Sequence, residues 1–279
     1  MSAPILITSE NYVSSNQFKF SFPRTVDLNE YECGLSTSYI YYSWYNISAK
    51  FNNNKFTLTV PTSTTPATYN ITIPNGAYNI SDLNNYLQYF LIENGLYITN
   101  DTTGENTYYC AFALSQTAYA VQFITTALPT SLPTGYTSGS MTFPASPSKS
   151  YQITILSTND FKDIIGFTAG QYPSSSTISG STYTKESDVA PNVNPISAVQ
   201  VRLSCLYNPL SSNTQLLTVF TNTVPFGALI PISNNETDYV PCQGVQKEVV
   251  LSLYDQLGRP LELLDKNLVI KLLFRKKKL

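Results

Sequence analysis

The sequence predicts an all-β protein in which sheets pack face to face as a sandwich. Three observations lead there. The C-terminal runs Val249-Leu251-Leu253 and Leu268-Ile270-Leu272-Phe274 each place apolar residues at every second position, which gives one buried side per strand. Short β-prone runs separated by turn-forming clusters recur along most of the chain. Only one stretch has a clear helical period.

Taken in order, Gln17–Phe22 alternates, with Phe18, Phe20 and Phe22 on one side and Pro23 closing the run. The segment from Tyr31 to Ile47 carries Tyr39, Ile40, Tyr41, Tyr42, Trp44 and Tyr45, a strand composition. Residues 51–55 read as a hairpin loop, Phe56–Val60 as a strand, residues 62–66 as a second loop and Thr68–Ile73 as the next strand. After the Asn75-Gly76 turn, Asn79 or Ser81 is placed to cap a helix. Ile80, Leu83, Leu87, Phe90 and Leu91 form its apolar stripe, and Gly95 stops it. The helix is expected to cover an open end or side of the sheets. Its polar side lacks Lys and Arg, which argues against a membrane-lying role.

Strands are expected at 96–98, 108–114, 119–125 and 151–156, with residues 127–150 as loop. A helical turn through Phe161, Ile164 and Ile165 ends at Gly166. Residues 171–195 are polar and rich in Ser and Pro, and read as a long exposed loop. Ile196–Tyr207 is a strong strand with Val199, Val201, Leu203 and Cys205 on one face. Residues 216–220 and 227–232 are strands and 234–244 a loop. The last two strands flank Asp255-Gln-Leu-Gly258-Arg-Pro260, where Asp255 and Gly258 favour a turn, so a closing hairpin is expected. The strands outnumber the eight of a jelly roll, which implies an insertion.

Charged residues make up 12% of the chain, about half the usual ~25% share. The net charge is −2, so copies repel weakly and the whole chain has no nucleic-acid signature. The local exception is the basic tail Arg275, Lys276, Lys277 and Lys278. It is the candidate contact for a packaged genome or an acidic partner. The preferred alternative is a solvated tail that keeps an edge strand from pairing. Cys33, Cys110, Cys205 and Cys242 form no CxxC pair and read as reduced, buried thiols from a reducing compartment. The Asn-X-Ser/Thr triplets at Asn46, Asn70, Asn79, Asn100 and Asn235 read as unglycosylated, since no secretory leader is recognised at the N-terminus. No run is long and apolar enough for a membrane span.

The chain has no histidine, and no GxSxG, P-loop or GxGxxG motif. Glu30 and Glu32 are two apart and would share a strand face as a carboxylate pair; two solvated acids near a turn is the preferred reading. Arg202 lies in an apolar strand and either meets a buried acid or, preferably, faces solvent opposite Val201 and Leu203. No catalytic, cofactor or metal site is expected, and the chain is not read as an enzyme.

The order of these pieces resembles the penton, or minor capsid, proteins of virophages and Polinton-type viruses, within the adenovirus-like capsid lineage. The resemblance rests on the Phe-rich strand near the N-terminus and on Ile73-Pro-Asn-Gly76-Ala-Tyr-Asn-Ile-Ser-Asp-Leu83. It rests also on Asp163-Ile-Ile-Gly-Phe167 with Tyr172-Pro173, the strand over 196–208, and Tyr254-Asp-Gln-Leu-Gly-Arg-Pro260. It implies a single jelly roll spanning 1–279, with a small helix and an inserted β-rich or loop region around 100–150 and 170–195. It further implies homopentamers at the fivefold vertices of an icosahedral virion. The partners would be other copies, the major capsid protein, and a host receptor or packaged DNA through the basic tail. Assembly would take place inside the host cell. The alternative is a receptor- or carbohydrate-binding sandwich resembling a fibre head.

Overall fold

The computed structural model describes residues 2–115, 117–233 and 238–277. The chain divides into two compact units, one of Met1–Tyr45 with Ile196–Leu279 and the other of Asn46–Pro195.

The first unit contains eight principal strands. They are β1 (Ser2–Thr8), β2 (Gln17–Asp27), β3 (Tyr31–Tyr41), β4 (Val199–Leu203), β5 (Leu216–Phe220), β6 (Leu229–Ser233), β7 (Val245–Asp255) and β8 (Leu268–Lys276). One sheet has the order β1-β8-β3-β6 and the other β5-β4-β7-β2, with every neighbour antiparallel. Consecutive strands thus alternate between sheets except at β4-β5, and the last strand lies beside the first. That order is a jelly roll, two Greek keys wound into a sandwich. Tyr12–Ser14 extends the second sheet beside β2, and Val240–Pro241 pairs with Cys33 and Glu32 of β3.

The alternating residues fill the space between the sheets. Val249, Leu251 and Leu253 of β7 and Ile270 and Leu272 of β8 are fully buried. So are Phe18, Val199, Val201, Leu203 and Cys205. Phe22 of β2 meets Phe274 of β8 edge to face, ring centroids 6.4 Å apart, joining the two sheets. The expected closing hairpin is not formed: β7 and β8 belong to different sheets. Asp255 does make the turn, its carboxylate accepting from Leu257 N and Arg259 N at 2.9 Å each, and Gly258 has φ +77°. The chain then leaves the β7 sheet through Pro260 and Leu263, and β8 enters the opposite sheet between β1 and β3. Alternation showed that each strand has a buried side; it carried no information on the ladder partner.

The second unit is the stretch between β3 and β4, and both segments expected to be inserted, 100–150 and 170–195, lie in it. Lys55–Val60 forms a hairpin with Ala67–Thr72, so the hairpin loop is 61–66 and not 51–55. Gln152–Ile155 and Gly170–Tyr172 complete a four-stranded sheet. Cys110–Ser115, Ala120–Thr126 and Thr182–Glu186 form a second sheet, and Ile98–Asn100, Asn106–Thr107 and Tyr136–Ser138 a third. Thr182–Glu186, Tyr136–Ser138 and the end of Gly170–Tyr172 therefore lie in segments expected to be loop. Thr182–Glu186 alternates only among polar residues and draws its stability from the ladder to Gln122–Thr126. Tyr136–Ser138 likewise pairs with Ile98–Asn100.

Helix α1, Ile80–Glu93, begins where the sequence indicates. Asn79 Oδ1 accepts from Asp82 N at 2.9 Å and Asp82 Oδ2 from Asn79 N at 3.0 Å, a reciprocal cap. Ile80, Leu83, Leu87 and Leu91 are buried in one core cluster that also contains Phe56, Phe112, Phe161 and Tyr151. Helix α2, Phe161–Ile165, ends at Gly166 with φ +73°, where a Cβ would stand 2.2 Å from Val189 O; only glycine fits. No helix of the described residues is long and apolar enough to cross a membrane.

Candidate assembly surface

The two outer faces of the jelly roll differ in chemistry. On the β5-β4-β7-β2 sheet the outward side chains include Gln200, Arg202, Ser252, Tyr254 and Lys19. Arg202 faces outward, as preferred above. Its guanidinium carbon lies 3.9 Å above the Tyr254 ring centroid and its Nη2 donates to Gln200 Oε1 at 2.7 Å. Lys19 pairs with Glu248 at 3.3 Å across β2 and β7. This face is mainly polar, with Val219 opposite Gln200 and Val250 opposite Lys19 as its apolar members.

The outer face of the β1-β8-β3-β6 sheet is apolar. Leu6 of β1, Val269 of β8, Tyr39 and Tyr41 of β3 and Leu229 of β6 are all exposed. Register aligns them: Thr8 lies opposite Val269, Val269 opposite Tyr39, Tyr39 opposite Pro231, and Tyr41 opposite Leu229. Thr8, Tyr39, Tyr41, Leu229 and Val269, with Ser9 and Asn267, line a shallow hollow of about 360 Å³. Large apolar side chains in a contiguous row on a sheet's water-facing side are the mark of a surface that another surface covers. Lys271 also lies on this face, opposite Thr37 and Leu6.

The basic run lies at one end of the same sheet. Arg275 and Lys276 are part of β8, a central strand, so they do not guard an edge. Arg275 Nε donates to Glu32 Oε1 at 2.5 Å, and its guanidinium carbon sits 3.4 Å above the Tyr239 ring centroid. Lys276 Nζ is 3.7 Å from Glu30, both well exposed. Lys277 Nζ donates to Asn29 O at 2.5 Å and its backbone N to Glu30 O at 2.8 Å. Lys278 lies outside the described residues. Glu30 and Glu32 therefore form no carboxylate pair; each faces a different cation of β8. Tyr239, which caps Arg275, falls in a segment read only as loop.

The four cysteines are free and buried. Desolvation raises the Cys33 and Cys110 thiols well above their usual range, and a side-chain hydrogen bond with Cys242, then desolvation, does the same for Cys205. Among the described residues no group of three His, Cys, Asp or Glu side chains is placed to hold a metal ion.

The apolar character of this outer face is legible in the strand pattern. In β8 the outward positions are Val269, Lys271, Leu273 and Arg275, half of them apolar where water alone would favour polar residues.

No family model and no curated protein sequence matches the chain. Among solved structures it is similar to the crystal structure of the mavirus penton protein, at TM-score 0.46 and 12% identity, over 99% of this chain and 100% of that one. A likeness this weak places the chain in no family. The jelly-roll assignment rests on the strand order itself.

Proposed function

We propose that the chain is a structural capsid protein whose copies close into homopentamers at the fivefold vertices of an icosahedral virion. The jelly roll, with 46–195 as an insertion between β3 and β4, is its shell-forming part. The observation that carries this reading is the apolar row Val269–Tyr39–Pro231 on the outer face of one jelly-roll sheet, where the outer face of the other sheet is mainly polar. A neighbouring copy is the occupant that fits. At net charge −2 identical chains repel little, and covering Tyr and Val side chains releases water from apolar area. Ring closure is head-to-tail, so each copy offers this face to a different surface on the next. The chain is assigned no catalysis. Its other partners would be the major capsid protein and, through Lys276 and Lys278, packaged DNA; Arg275 is already committed to Glu32 and Tyr239.

The test is native mass spectrometry of the full chain. The expected species is five copies of the 30.9 kDa chain. Val269→Glu, placing a charge in the row, is expected to shift it to monomer without unfolding. An unchanged assembly in that variant removes this face from the contact.

A further inference from the structure

The inserted unit contains a groove of about 690 Å³, within the ~300–1,000 Å³ range of small-molecule sites. Three segments wall it: the first turns of α1, the strand Cys110–Ser115, and residues 191–194.

Internal hydrogen bonds fix these walls. Asn84 Oδ1 accepts from Phe112 N at 3.0 Å, tying α1 to the strand. Asn46, buried, donates from Nδ2 to Tyr78 O and to Val193 O at 2.7 Å each, tying the entry of α1 to 191–194. A groove held this way loses little freedom when it is filled.

The chemistry of the lining is selective. It includes no Asp, Glu, Lys or Arg. Asn79 and Asn84 spend their carbonyl oxygens on backbone N–H groups, and their Nδ2 groups have no partner among the described residues. The side chains of Asn192 and Asn194 are exposed and likewise without one. Asp82, in the first turn of α1, sets a carboxylate beside the helix N-terminus and opposes the approach of an anion there. At the rim Tyr119 is 69% exposed, held at φ +46°, a backbone region that aromatic residues rarely adopt.

An uncharged groove with unpaired amides on its walls and one projecting aromatic ring matches a ligand that is neutral, rich in hydroxyls and apolar on one side of its ring. We propose that this groove binds a neutral oligosaccharide, with Tyr119 stacking on a sugar ring and Asn84, Asn192 and Asn194 meeting its hydroxyls. A charged ligand would find no counter-charge to offset the loss of its hydration. The proposal goes beyond the capsid reading and is measured on the chain in any oligomeric state.

Saturation-transfer NMR on the full chain tests it, with maltotriose, chitotriose and lactose as neutral probes and 3′-sialyllactose as the acidic one. The expected result is saturable binding of at least one neutral probe and none tighter for the sialylated one. Tyr119→Asn, a residue that tolerates positive φ, is expected to weaken that binding about tenfold. Asn192→Asp is expected to weaken it as well, and Tyr89→Ala, at an exposed ring outside the groove, to leave it unchanged. Each variant is checked for an unchanged thermal transition. The proposal is overturned if no neutral probe binds at millimolar concentration, if Tyr119→Asn binds as the parent does, or if 3′-sialyllactose binds more tightly than lactose.

Discussion

Arg275 and Glu32 stand opposite each other in the β8–β3 ladder, and their side chains close a hydrogen-bonded ion pair at 2.5 Å beneath the ring of Tyr239. The pair joins β8 to β3, residues 243 positions apart in sequence. The Glu32 side chain is only 15% exposed, so its bond to Arg275 is partly shielded from water. Glu32→Gln is expected to lower stability by about 1–2 kcal/mol in urea unfolding, since it weakens a partly buried, charge-assisted bond. Tyr239→Ala is expected to cost less, about 0.5–1 kcal/mol, the size of an exposed cation–π contact. A larger loss for Tyr239→Ala than for Glu32→Gln would reverse that ranking.

In the second unit, the side-chain hydrogen bond from Lys185, followed by those from Thr168, lowers the Asp188 pKa from 3.8 to about 2. A depressed carboxyl favours the fold above its unfolded value, and its contribution fades as pH falls from about 4 through about 2. Carbon-detected NMR titration is expected to place Asp188 near the lower value. Lys185→Met, which removes the first-named donor, is expected to return it toward 3.8. A titration midpoint unmoved by that substitution would assign the depression to Thr168 alone.

The buried thiols give a further expectation. With Cys33, Cys110 and Cys205 raised by burial or by hydrogen bonding, thiolate is scarce at these three positions near neutral pH. A chromogenic disulfide reagent at pH 8 is expected to find almost no reactive thiol in the native protein, and all four in denaturant. Fast labelling of Cys205 in the native state would contradict its burial.

Parts of this fold are written plainly in the sequence. The residues Leu268, Ile270, Leu272 and Phe274, and Val249, Leu251 and Leu253, are all on buried faces. The cap at Asn79, the α1 stripe and the stops at Gly95 and Gly166 are local events, set by residues within a few positions. Ladder partners are not local. The pairing of Ile7 with Ile270, or Arg275 with Glu32, joins residues separated by nearly the whole chain, and either run would alternate identically in a hairpin. Thr182–Glu186 was missed because its own residues bury almost nothing; it is a strand through its neighbour's hydrogen bonds. The apolar outer row was readable residue by residue. That Val269, Tyr39 and Pro231 form one row depended on register, which only the folded chain supplies.

The most direct test of the central claim is the rotational symmetry of the purified chain in negative-stain class averages. The account predicts closed rings of five subunits, lost in Val269→Glu. Particles with twofold or threefold symmetry, or monomers alone at high protein concentration, would contradict it.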